Sequence, residues 1–135
     1  MRAVLGKKIL IVEDEIELLE LITRELRQSG LQVAAARNGE EGLEAALAER
    51  PDLILTDMLM PVMDGITMLK KIREDASGKN LKAIVLTNLS DSSITVRISE
   101  VPGVKLWIKS DLNLAEISKK VLEELRGENK SVREL

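Results

Sequence analysis

Apolar and polar positions fall in blocks along this chain. Residues 8–12, KILIV, form a short apolar run of the kind buried on both faces of a sheet. Three acids follow, Glu13, Asp14 and Glu15, and then Ile16, Leu19, Ile22 and Leu26 recur at helical spacing. Gly30 suits the end of that helix. A second strand is expected over 32–35. Asn38 and Glu41 have capping-box spacing, which predicts a helix over 39–49 that Pro51 terminates. Leu53, Ile54 and Leu55 begin a third strand that runs out on Asp57. Asp64 caps the next helix, whose apolar face is Ile66, Leu69 and Ile72. A loop is expected over 77–80 and a fourth strand over 83–86, ending on Thr87. The fourth helix is expected over about 92–100, against local preference. Ile94, Val96 and Ile98 alternate as in a strand and are β-branched. Pro102-Gly103 breaks the chain. A fifth strand over 104–108 ends on Lys109. Asn113 and Glu116 again have capping-box spacing, and Leu114, Ile117, Val121 and Leu125 line one face of a last helix.

Five repeats of strand then helix predict a parallel sheet covered on both sides. The expected architecture is a flavodoxin-like, doubly wound α/β fold with five helices. Its strand order is 2-1-3-4-5, with the switch point between the first and third strands. Residues 1–126 are expected to form one domain, and 127–135 a polar, frayed C-terminal tail. That tail is too short for a DNA-binding or catalytic output domain. The chain is therefore either a single-domain protein or a piece of a longer one.

Composition narrows the chemistry. With 20 basic and 23 acidic residues, the chain lacks the basic face that general nucleic-acid binding needs. It has no cysteine and no histidine, which removes disulfides, thiolate metal sites and the usual general base. A metal here would be a hard cation held by oxygen. No apolar run is long enough to span a membrane, and the first residues do not resemble a signal peptide, so a cytoplasmic protein is expected. The sole aromatic residue is Trp107, so stacking cannot dominate recognition of bases or flavins.

The predicted topology brings Glu13, Asp14, Asp57, Thr87 and Lys109 to one edge of the sheet. Three carboxylates held together repel, and a divalent cation relieves the repulsion. Magnesium suits such a site because it takes a few carboxylates, keeps waters and bridges to phosphate oxygens. Manganese is the alternative. Lys109 adds a compact positive charge and Thr87 a hydroxyl donor. Together these groups suit a phosphoryl group, with Asp57 as the nucleophile that forms an aspartyl phosphate. Each residue alone has a plainer reading. The acids can be favoured at a helix start, Asp64 can be only a cap, and Lys109 can be a solvated surface lysine. The methionines at 58, 60, 63 and 68 read as packing and adaptable surface.

The segments ILIVEDE, LILTDMLMPVMDG, IVLTN and LWIKSD, in this order and spacing, resemble the receiver domains of two-component response regulators. The likeness is to the stand-alone chemotaxis type and covers the chain from Lys8 to Arg126. It implies that Asp57 accepts a phosphoryl group from a phosphohistidine on a sensor histidine kinase or phosphotransfer protein. It implies that Asp14 ligates magnesium directly, Glu13 through a bound water, and Leu59 through its backbone carbonyl. Lys109 would bridge the phosphoryl group and an acid. Thr87 would swing toward the phosphoryl oxygen, read out on the face of the fourth helix, fifth strand and fifth helix. A downstream protein partner would bind that face, or a second copy would dimerise through it upon phosphorylation. Such a protein assists its own phosphorylation and dephosphorylation but turns over no external substrate. Three positions depart from the family pattern: Leu106 replaces an aromatic residue, Ser110 replaces a proline, and Asn88 stands where a small residue is common.

Other readings are a receiver-like module that binds magnesium without switching, and a magnesium-dependent phosphohydrolase or flavin binder. An Asp-x-Asp motif is missing at Asp57-Met58-Leu59, which counts against the common aspartate-nucleophile phosphatases. The absence of GxxxxGK[ST] and GxGxxG counts against nucleotide binding.

Overall fold

Five strands pair in parallel in the order β2-β1-β3-β4-β5 in the computed structural model, which describes residues 6–88 and 92–127. They are β1 (Lys8–Val12), β2 (Gln32–Ala36), β3 (Leu53–Thr56), β4 (Lys82–Thr87) and β5 (Val104–Ile108). The intervening helices are α1 (Ile16–Gln28), α2 (Gly39–Glu49), α3 (Gly65–Glu74), α4 (Ser92–Ser99) and α5 (Leu114–Arg126). This is the flavodoxin-like order expected from the alternation of elements. Of the expected polar tail, residues 128–135 lie outside the described residues.

Strand alternation splits the interior in two. Ile9, Ile11, Leu55 and Trp107 point to one face and pack with Ile22, Leu26 and Val121 of α1 and α5. Leu10, Val12, Ile54 and Val85 point to the other and pack with Ile66, Leu69, Ile72, Ile94 and Ile98 of α3 and α4. The central strands β1, β3 and β4 are almost wholly buried, whereas the edge strands β2 and β5 are only partly covered. This is why the central three read as the strongest apolar runs. Each fully buried Ile or Leu contributes about 1.5–3 kcal/mol, so the central strands anchor the fold.

Local signals explain the helix ends. Gly30 adopts φ 96° just past α1. Its N–H donates to the Arg27 carbonyl and that of Leu31 to the Leu26 carbonyl, a Schellman closure. Asn38 accepts the Glu41 N–H, but the Glu41 carboxylate takes the Arg37 N–H, one residue outside the reciprocal box expected there. Asn113 and Glu116 form the full box at α5, and Gly127 closes that helix in the left-handed region. The loop expected over 77–80 begins within a 3-10 turn, Ala76–Gly78, capped by Asp75.

Tertiary packing overrides propensity at α4. Ile94 and Ile98 are buried four residues apart on one helical face, while Val96 is 58% exposed. A period of two contains the helical step of four, so the strand-like alternation concealed a helix.

Candidate functional site

The crevice lies where β1 and β3 lie side by side and their following helices cover opposite faces of the sheet. Hydrogen bonds extend the sheet one residue past each strand. The Glu13 N–H donates to the Ala36 carbonyl and the Asp57 N–H to the Val12 carbonyl, each at 3.0 Å. These bonds fix the backbone that carries the two acids. Behind Asp57 the chain turns tightly. The Gly65 N–H donates to the Met58 carbonyl at 2.8 Å. A Cβ at Gly65 would collide with the Asp57 carbonyl oxygen, so this position requires glycine.

Lys109 organises the charges. Its Nζ lies 3.0 Å from Asp57 Oδ2, 3.0 Å from Glu13 Oε1 and 3.5 Å from Glu15 Oε1. Asp57 Oδ1 accepts the Met58 N–H, and Glu13 Oε2 accepts the Glu15 N–H. Both Glu13 oxygens are therefore engaged, and the side chain is 3% exposed. Asp14 projects into solvent beside them. Burial pushes the Glu13 carboxyl above its ordinary range, and Asp57 adds to the push. The Lys109 hydrogen bond and the Glu15 N–H oppose it without cancelling it. Burial works against the charge on Lys109, but hydrogen bonds and charges from Asp57 and Glu13 outweigh it and raise the ammonium pKa. Lys109 is thus a fixed cation.

One oxygen from each of Glu13, Asp14 and Asp57 lies within 4.8 Å of the others. An all-oxygen donor set of this size, with one lysine as its neighbouring cation, fits a small hard divalent ion. Leu59 lies two residues beyond Asp57, its side chain 58% exposed. Thr87 closes β4, is buried, and pairs with Ile108, directly before Lys109. The strand ends thus bring Glu13, Asp14, Asp57, Thr87 and Lys109 to one edge, and Leu59 sits in the loop that follows β3. Leu106 packs toward α4 and Trp107 toward α5, on opposite faces as alternation requires.

Two contacts at this edge escaped the sequence. Arg97 of α4 reaches Asp64, the cap of α3, at 3.2 Å. The Ser110 N–H donates to Asn88 Oδ1 at 2.8 Å. Among the described residues there is no cis peptide, so the bond before Ser110 is trans, as expected of a non-proline residue.

A doubly wound α/β sheet with an acid cluster and a lysine at its switch point defines the class. Residues 9–122 match the family described as the response regulator receiver domain, and the chain belongs to that family. It is similar to sporulation initiation phosphotransferase F of Bacillus subtilis, 37% identical over 105 residues, which covers 78% of this chain and 83% of that protein. It is also similar to the alkaline phosphatase synthesis transcriptional regulatory protein PhoP of the same organism, 43% identical over 70 residues, or 52% of this chain. Here the match spans 29% of the relative's length, and against the transcriptional regulatory protein PrrA of Mycobacterium tuberculosis it spans 52%. Among solved structures, the chemotaxis response regulator CheY4 of Vibrio cholerae aligns with a TM-score of 0.79 at 27% identity, covering 89% of this chain and 98% of that one. A CheY-like receiver domain protein of Methanospirillum hungatei aligns at 0.81 and 27%, covering 93% and 98%.

The chain is therefore a CheY-like receiver domain of two-component signalling. Receiver domains are signalling modules that generally bind magnesium at an acidic pocket and interact with histidine kinases or phosphotransfer proteins and with downstream partners. Among the described residues, no helix is long and apolar enough to cross a membrane.

Proposed function

We propose that Asp57 accepts a phosphoryl group from a phosphohistidine and that this event switches the binding of a downstream protein. The observation that carries the proposal is Lys109 Nζ, 3.0 Å from both Asp57 and Glu13, beside three clustered carboxylates. An Asp57 oxygen attacks phosphorus, and a P–O bond forms as the P–N bond of the donor breaks. The leaving imidazole keeps the electron pair and takes up a proton. Lys109 stabilises the charge that spreads over the phosphoryl oxygens, and the Thr87 hydroxyl donates to one of them. Asp14, Asp57 and the Leu59 carbonyl would hold magnesium, or manganese in its place, with Glu13 acting through a bound water. When bound, the ion neutralises charge on the carboxylates and the phosphoryl oxygens. Hydrolysis of the aspartyl phosphate resets the site, so the domain assists its own chemistry without turning over an external substrate.

Residues 1–126 form the working unit, in the cytoplasm. The donor is a sensor histidine kinase or phosphotransfer protein, and neither nucleic acid nor membrane is bound directly. Movement of Thr87 toward the phosphoryl group shifts populations at the α4-β5-α5 face, where a protein partner or a second copy docks.

The test is incubation with magnesium and acetyl phosphate, read by intact mass and by deuterium uptake across α4, β5 and α5. The expected result is a gain of one phosphoryl group, abolished by Asp57→Asn, with altered uptake at that face. A mass gain with unaltered uptake favours a magnesium-binding module that does not switch, a reading motivated by Leu106, Ser110 and Asn88. No gain from acetyl phosphate or from a phosphohistidine donor overturns the proposal.

A further inference from the structure

The β4–β5 ladder ends at the pair Thr87 and Ile108. Just beyond it, the continuations of the two strands are joined again by the hydrogen bond from the Ser110 N–H to Asn88 Oδ1, across 22 residues of sequence. The bond needs two things. Ser110 must keep a backbone donor, which a proline would lack, and Asn88 must present a side-chain acceptor. Its neighbours decide what it holds. Asn88 follows buried Thr87, and Ser110 follows Lys109, whose ammonium spans Asp57 and Glu13. This exposed contact therefore ties Asn88, directly after β4, to Ser110, two residues past β5, each adjacent in sequence to a residue of the site.

We propose that Asn88 and Ser110 form a positioning clasp that fixes the separation of the ends of β4 and β5 and so lengthens the life of a phosphoryl group on Asp57. The inference rests on the phosphoacceptor reading of Asp57. Hydrolysis requires a water in line with the P–O bond to the Asp57 oxygen. The water oxygen forms a new bond to phosphorus as that P–O bond breaks, and the Asp57 carboxylate keeps the electron pair. The water's protons pass to the departing inorganic phosphate and to solvent. With the clasp closed, Thr87 stays against the phosphoryl oxygen it has moved to, Lys109 stays beside Asp57, and no gap opens between the ends of β4 and β5 to admit that water. Asn88 and Ser110 act through these two residues without touching the phosphoryl group.

A steric role for Asn88 alone predicts a different pattern, which three variants distinguish. Asn88→Ala removes bulk and acceptor, Asn88→Leu keeps approximate bulk without the acceptor, and Asn88→Asp keeps an acceptor. Intact mass followed over time gives the hydrolysis rate, and amide hydrogen exchange gives the protection of the Ser110 N–H in the unphosphorylated protein. Losing one hydrogen bond should speed hydrolysis roughly threefold to tenfold in both Asn88→Ala and Asn88→Leu, with loss of Ser110 protection. Asn88→Asp should stay near the wild-type rate in about 1 M salt, where its added charge is screened within roughly 3 Å. A wild-type rate in Asn88→Leu with a faster one in Asn88→Ala assigns the effect to bulk and overturns the clasp. Unchanged exchange at Ser110 in Asn88→Ala overturns it too. Failure of the wild type to take up a phosphoryl group overturns the underlying reading instead, while the exchange measurement still judges the hydrogen bond.

Discussion

The two helices that flank β5 are built to different standards. α5 runs 13 residues, opens on a reciprocal capping box, closes on a left-handed glycine, and buries Ile117, Val121 and Leu125. Two lysines of the sheet hold it from below. Lys82 donates to the Glu124 carbonyl, and Lys105 pairs with the buried Glu124 carboxylate at 2.6 Å. α4 runs 8 residues and buries Ile94 and Ile98. Its links to α3, Arg97 to Asp64 and Glu100 to Lys70, are partly exposed. Solvent screens such exposed pairs, so they hold a helix only weakly. Elements that shift in a switch come from the weakly held end of a fold. On this reasoning α5 is the firmly held helix of the pair, and α4 would be the movable part of the output face proposed above.

The contrast breaks first under core truncation. Leu125→Ala should lower the free energy of unfolding by about 2–4 kcal/mol, whereas Ile94→Ala should cost about 1–2 kcal/mol, because local opening of α4 caps its loss. Urea denaturation measures both, and equal losses would erase the distinction. Removing a cap is the next largest change. Asn113→Ala should cost about 1 kcal/mol and quicken amide exchange in the first turn of α5.

The smallest effect sharpens the picture of α4. Burial favours a neutral Asp64, but hydrogen bonds from Thr67 and Arg97 outweigh it and hold its pKa below the ordinary 3.8. The folded value lies below the unfolded one. The carboxylate therefore adds stability above 3.8 that is lost as pH falls through the folded value. Asparagine keeps the cap but not the charge. Asp64→Asn should thus cost about 0.5 kcal/mol near neutral pH after solvent screening, with faster exchange in α4. The difference from wild type should vanish in acid, and a difference that persists there would exclude the ion pair as its source.

The sequence carried different parts of this structure with different clarity. The central strands and α5 were legible because burial on two faces leaves unbroken apolar runs and capping residues sit at fixed offsets. Glu13, Asp57, Thr87 and Lys109 could be gathered at one edge because each follows or ends a strand of known order. α4 was obscured because Ile94, Val96 and Ile98 satisfy both periods, and only burial shows which two face inward. The Arg97–Asp64 and Asn88–Ser110 contacts join residues 33 and 22 positions apart. Polar pairs at such separations leave no periodic trace. At Glu41 a local choice between two backbone donors one residue apart was equally invisible.

Trp107 is the sole aromatic side chain of the whole sequence, and it is buried in the core shared by β5 and α5, with Lys120 Nζ 5.3 Å from its ring. Intrinsic emission and aromatic circular dichroism therefore come from a single chromophore on the firmly held side of the sheet. Optical melting curves follow that side, and the opening of α4 leaves them almost dark. A second dye attached at exposed Val96 through an introduced cysteine, in a chain that has no other thiol, would give the movable helix its own colour.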